Sequence, residues 1–169
     1  NGNLYPTHGL GPVAWVMDIN RGDKMESMIS MQSNDSSMQA MANELAAKDD
    51  FYKPFANKKF RGNMNTTVIR TNKGRTIMLQ HDVSSPAIYS RIFKINGTKG
   101  SCLKYPEPSK IALSHQNWLS EADYKKVEDQ YTPPIIKKMG EMAKKVGGHG
   151  GMDFIMDWRR PAERRRPSS

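Results

Sequence analysis

The sequence predicts an α+β fold, an antiparallel-rich sheet of two or more hairpins with helices packed on one face. Three observations carry this. Two pairs of strand-forming runs each enclose a Gly-containing reversal, and stretches with helical character lie on both sides of them. No G-x-G-x-x-G occurs anywhere, so the strand, Gly-rich turn and helix of a Rossmann unit are absent from this chain. At 169 residues the chain suffices for one compact domain. Its apolar fraction of 37% and mean hydropathy of -0.73 lie at the polar end for a globular protein and predict a thin or incomplete core. Residues 1–158 are read as one incomplete α+β domain, and residues 159–169 as a basic, disordered tail.

The opening segment, NGNLYPTHGLGP, is stiffened by Gly and Pro and presents Tyr5 and His8 just ahead of an apolar helix expected over about Leu10 to Ile19. Pro6 fixes one backbone torsion between the two side chains, and Thr7 reads as the N-cap. Asn20, Arg21 and Gly22 end that helix. MESMISMQS follows as a short strand, although Met25, Met28 and Met31 also fit helical spacing. Residues 36–59 are polar and read as an excursion with one short helix at most.

The first hairpin pairs NTTVIRT with RTIMLQHDV around Asn72, Lys73 and Gly74. The second pairs YSRIFKI with SCLKY around residues 96–100. Four strands in two consecutive hairpins imply an antiparallel sheet. Ser120 then starts an acidic helix that runs to about Tyr131 and is stopped by Pro133 and Pro134. Pro134 suits the first turn of IIKKMGEMAKKV, whose Lys-rich face is solvated and which Gly147 and Gly148 close. Met152, Phe154, Ile155, Met156 and Trp158 suit a last packed helix that runs out at Pro161.

Charge and composition exclude several functions. Of the net charge of +9, residues 159–169 carry +4, five Arg against Glu163. Binding of nucleic acid through such a tail would be nonspecific and salt-sensitive, and no reading module is present, so no specific nucleic-acid partner is expected. No apolar run reaches bilayer-spanning length, so no membrane span is expected. The lone Cys102 rules out an internal disulfide and leaves the compartment open. Four scattered histidines with one cysteine offer no H-x-x-x-H or C-x-x-C pair, so no metal site is expected, and the 12 methionines read as core filling. Asp18, Asp23 and Glu26, near the end of the first helix, read as solvated carboxylates, which leaves little support for a carboxylate glycosidase.

Taken alone, Tyr5 with His8 three residues on has the spacing of an ordinary helix start, and Tyr89 reads as a sheet residue whose hydroxyl reaches the surface. His81 and Asp82 read as a surface pair, and His115 has still less to recommend it. For His149 the flanking glycines suit either backbone approach to a ligand or a flexible turn, and it is left out of the catalytic set.

Three stretches, NGNLYPTHGLGPV, DVSSPAIYSRIFKINGTKG and GGHGGMDFIMDWR, change that weighting. Through them the chain resembles the family 109 glycoside hydrolases, NAD-dependent α-N-acetylgalactosaminidases related in fold to the glucose-fructose oxidoreductase and inositol dehydrogenase group. The similarity runs from Asn1 to about Arg159 and corresponds to the substrate-side domain; the N-terminal Rossmann domain of the parent chain would hold most of the NAD. The resemblance implies removal of terminal α-linked N-acetylgalactosamine by transient oxidation at C3, elimination across C2 and C1, water addition and re-reduction. It places Tyr5, Pro6, Thr7 and His8 along the sugar pocket close to the nicotinamide, with His8 for acid/base work and Tyr5 as hydrogen-bond donor and cofactor contact. Tyr89 falls on the family's sugar-contacting Tyr. An Arg-Pro pair commonly precedes that Tyr, and Ala87 and Ile88 stand there instead. After MDFIMDWR the relatives continue with an apolar helical segment where this chain turns Arg-rich, which suggests a truncated or frame-shifted reading and leaves a natural tail as the alternative.

The partners so implied are an α-N-acetylgalactosaminyl glycan, the Rossmann domain, and a second copy through the sheet; the family analogy suggests export or the periplasm. The fragment alone is expected to be inactive. Two other readings stand beside this one, the same domain in a sugar or inositol dehydrogenase, and a noncatalytic carbohydrate-binding or assembly module.

Overall fold

A computed structural model describes residues 3–82, 84–105 and 108–158. The basic tail expected at 159–169 and the expected helix stop at Pro161 lie outside the described residues. The architecture is α+β, with six helices and two three-stranded sheets among the described residues, and the chain divides into two compact units, residues 1–110 and 111–169.

In the first unit, α1 (Thr7–Val16) leads to β1 (Met25–Gln32), α2 (Ser36–Lys48), a 3-10 turn (Asp50–Tyr52) and α3 (Lys53–Ala56). Strands β2 (Met64–Thr71) and β3 (Thr76–Asp82) follow. The first expected hairpin forms: Ile69 pairs with Ile77 and Val68 with Met78, and Gly74 takes φ 77 in the turn, where a side chain would be strained. β1 joins the outer edge of β2, with Met28 opposite Ile69 and Ile29 opposite Val68. Alternation gives the sheet two unlike faces. Ile69 and Ile77 are buried on one, each contributing roughly 1.5–3 kcal/mol. Ile29, Val68 and Met78 on the other are exposed.

Helix α1 lies on the covered face, so close that a Cβ on Gly9 would stand 3.0 Å from Leu79 Cδ1. It starts earlier than expected. Pro6 is the N-cap, Thr7 is already helical, and no side chain caps the end; the Pro6 carbonyl accepts from the Gly9 and Leu10 amides instead. The helix also ends earlier, because Asp18 (φ 52) and Asn20 (φ 64) enter left-handed backbone, which short polar side chains tolerate.

Residues 36–59 depart from expectation more strongly. In place of one short helix they form α2, the 3-10 turn and α3, packed on one another. Met38, Met41 and Leu45, at helical spacing along α2, meet Phe51, Phe55 and Phe60 around a cavity of ≈ 180 Å³. Dense polar residues conceal that stripe in the sequence.

The second expected hairpin forms from β4 (Phe93–Gly97) and β5 (Gly100–Lys104), antiparallel, with Ile95 opposite Cys102. It belongs to a separate sheet, ordered β4-β5-β6 with β6 spanning Lys110–Ala112, rather than continuing the first. β4 begins only at Phe93, so Tyr89 lies in irregular chain ahead of the strand, not in the sheet.

In the second unit, α4 (Glu121–Tyr131) is capped as expected, the Ser120 hydroxyl accepting from the Asp123 amide at 3.2 Å. α5 (Pro134–Val146) has Pro134 in its first turn, buries Met139 and Ala143, and closes at Gly147 (φ 86). A 3-10 turn (His149–Gly151) then packs α6 (Met152–Trp158) against α5. Gly151 is required there, since at φ 96 an added Cβ would meet the Ala143 backbone at 2.6 Å. As the composition suggests, the core is thin; among the described residues its buried apolar members are Ala42, Ile69, Ile77, Ala112, Met139 and Ala143.

Candidate functional site

Tyr5 stands just ahead of α1 and His8 in its first turn, with Pro6 holding φ -75 between them. The two rings lie 4.9 Å apart, centroid to centroid, at 45°. Both side chains are exposed, as is Thr7. Pro12, inside the helix, has no N–H to offer the His8 carbonyl, so the first turn is held chiefly by the Pro6 carbonyl.

Two anchors mount this segment on the sheet. Asn3 Nδ2 donates to Thr67 Oγ1 at 3.4 Å, where Thr67 also bonds Ser30 and Asn65. At the far end of α1, Arg75 donates to the Met17 carbonyl and holds Asp23 Oδ2 from Nε at 3.0 Å and Nη2 at 2.7 Å. Asp23 Oδ1 accepts from the Lys24 and Lys73 amides at 2.9 and 3.1 Å. Burial opposes the charge on Asp23. Hydrogen bonds from Thr71, Arg75 and those amides outweigh it and hold the carboxyl far below the usual carboxylate range. Asp23 is therefore a buried carboxylate held by the hairpin turn rather than a solvated one. Nothing in its flanking residues marks it; the partners come from the hairpin turn about fifty positions on.

Tyr89 and Arg91 occupy the segment between β3 and β4. Asp82 turns the chain there, Oδ1 accepting from the Ser84 and Ser85 amides at 3.0 Å each. Burial raises the Asp82 pKa, but those bonds, the Ser85 hydroxyl and nearby His81 bring it below the ordinary value. Asn63 Nδ2 reaches Ser85 Oγ at 3.3 Å, tying the segment back to the start of β2. The Tyr89 hydroxyl accepts from Arg91 Nη2 at 2.6 Å, and its ring meets Tyr105 edge-on at 5.9 Å. The sequence reading missed Arg91 and Tyr105. Arg91 is two positions from a named residue and was within reach, whereas Tyr105 approaches only through the β4–β5 hairpin.

α1 packs against β4, the strand that follows the Tyr89 segment. The apolar cavity beside α2 includes none of Tyr5, His8 or Tyr89 in its wall and offers a hydrophobic seat without acid or base. His149 lies in the second unit, exposed, in a turn whose glycines pack α6 against α5; its Nδ1 stands 2.9 Å from Asp153 Oδ2.

The described residues form an α+β architecture without a dinucleotide fold, and it carries the phenol and imidazole of Tyr5 and His8 side by side. Residues 1–163 match the family described as glycosyl hydrolase 109, C-terminal domain, and the chain belongs to that family. It is 45% identical over 159 residues to a glycosyl hydrolase family 109 protein of Solibacter usitatus. It is 43% identical over 167 residues to an alpha-N-acetylgalactosaminidase of Shewanella oneidensis. Each alignment takes in 94% of this chain and 35% of the relative, so the chain spans about a third of the length of the curated relatives it matches. No helix among the described residues is long and apolar enough to cross a membrane.

Proposed function

We propose that this chain supplies the sugar-facing half of an NAD-dependent glycosidase that removes terminal α-linked N-acetylgalactosamine. The observation that carries this reading is the Tyr5–His8 pair, rings 4.9 Å apart and open to solvent, at the start of a chain belonging to family 109. Both given hairpins are antiparallel and no Gly-rich phosphate loop occurs, so the part of the parent outside this chain holds the pyrophosphate. What the chain offers the cofactor is the exposed Tyr5 ring, a flat apolar surface on which a nicotinamide can rest. When bound, NAD supplies the acceptor for hydride from sugar C3 and returns it at the end.

The remaining work falls to side chains. Once C3 is a ketone, the hydrogen at C2 is acidic, and His8 takes that proton as the glycosidic oxygen leaves C1. Water then adds its hydroxyl at C1, the proton it releases neutralises the departed glycosidic oxygen, and His8 returns the abstracted proton to C2. Tyr5 donates its O–H to a sugar oxygen and steadies charge as it develops, while the exposed Thr7 hydroxyl and the Pro6 ring shape the same wall. Tyr89 contacts the sugar from the second segment. This route needs one positioned base and no carboxylate pair.

The test is to assay the full-length protein that contains this chain on an aryl α-N-acetylgalactosaminide without added reductant. Sustained phenol release with no build-up of NADH is the expected result. Stoichiometric NADH would reject hydrolysis in favour of a dehydrogenase, and neither product would leave a noncatalytic module.

A further inference from the structure

We propose that Arg91 is a positioning residue that holds the Tyr89 hydroxyl as an acceptor on one side, so that the phenolic hydrogen is donated outward to an oxygen of the bound sugar. This rests on the reading that Tyr89 faces the glycan. Residues 84–92 form neither helix nor strand, so no backbone ladder orients the Tyr89 side chain. Side-chain contacts do so instead. Arg91 Nη2 lies 2.6 Å from the hydroxyl, its guanidinium carbon lies 5.9 Å from the ring centroid, and Tyr105 meets the ring edge-on at 64°. Tyr105 itself stands at φ 44, a backbone that a bulky residue adopts only when its surroundings hold it there.

Chemistry then fixes the direction of the bond. A guanidinium has donors only and stays charged, so the phenol oxygen must accept from it, and the phenol's own hydrogen is left for a third partner. Tyr89 is 64% exposed, so that partner can be a ligand. Among the described residues no carboxylate pairs with Arg91. With Ala87 and Ile88 ahead of Tyr89, the guanidinium that reaches this hydroxyl comes from the residue two positions after it.

The test is a double-mutant cycle in the full-length protein with Arg91→Met, Tyr89→Phe and the pair, plus Arg91→Lys. Three readouts apply: kcat and KM on the aryl substrate, calorimetric affinity for free N-acetylgalactosamine, and the Tyr89 signal in ring-labelled protein. Expected are a loss of sugar affinity and kcat/KM of at least roughly tenfold for either single variant, little further loss in the pair, and partial rescue by Lys. The Tyr89 signal shifts in Arg91→Met. Losses that multiply in the pair, or a Tyr89 signal that Arg91→Met leaves unmoved, overturn the role of Arg91 while sugar binding by the parent protein stands. A parent protein that binds no sugar instead removes the functional reading, and with it the outward acceptor.

Discussion

Tyr5 and His8 hold their rings 4.9 Å apart at 45°, joined by a proline that fixes φ and a threonine already in the helix. Both rings stand on the same short segment at the start of α1. His8→Ala in the full-length protein is expected to lower kcat on an aryl α-N-acetylgalactosaminide by at least roughly a hundredfold. Tyr5→Phe keeps the ring contact and loses only the hydroxyl, with an expected cost of roughly tenfold. Steady-state rates decide both, and an unchanged rate in His8→Ala removes the imidazole from the mechanism.

The mount is expected to weaken in acid. Asp23 has a depressed pKa in the folded chain, so it contributes stability above its unfolded value of about 4, and that contribution fades as pH falls toward the folded value. Urea midpoints taken from pH 6 down to pH 3 are expected to fall for the parent sequence, and to fall less steeply in Asp23→Asn, which is weaker at pH 6. Asp82, also depressed, keeps part of the slope. Equal slopes in the two proteins would mean that the Arg75–Asp23 contact does not stabilise the fold. Thr71→Val, which removes a fully buried hydroxyl from the same cluster, is expected to cost about 1–3 kcal/mol.

Local chemistry made much of the fold legible. Both hairpins follow from strand-forming runs around Gly74 and residues 97–100, and the α4 cap and α5 start follow from Ser120 and Pro134. What escaped depends on distance. The apolar stripe of α2 packs on Phe51, Tyr52 and Phe55 of the following turn and helix, a pairing hidden by the polar residues between them in 36–59. The membership of the two hairpins in different sheets is a tertiary choice that strand patterns do not encode. The proximity of Tyr5 and His8 follows from their spacing, whereas the contact of Tyr89 with Tyr105 required the turn of the β4–β5 hairpin to bring it round.

The open sheet face bears on how the chain behaves alone. Ile29 and Met78 are 73% and 68% exposed there, and Trp15 on α1 is 71% exposed. Residues 1–169 expressed by themselves are expected to bind a hydrophobic dye strongly, to show no saturable NAD binding and to give no phenol release. The full-length protein should bind little dye and regain all activity. Turnover by the isolated chain with added NAD would overturn the division of labour proposed between the two parts.

His149 supplies a separate check, because it is exposed and its neighbours make a turn. The hydrogen bond to Asp153, together with that carboxylate's charge, raises its pKa above the ordinary ~6.5. A raised folded value gives a contribution that is complete below the unfolded pKa and is lost as pH rises through the folded one. Proton NMR is expected to find the His149 midpoint above the ordinary value, returning toward it in Asp153→Asn, while His149→Gln leaves turnover unchanged. A His149→Gln variant that folds normally but loses turnover would place this imidazole in the chemistry after all. An unshifted midpoint would mean that the 2.9 Å contact does not persist in solution.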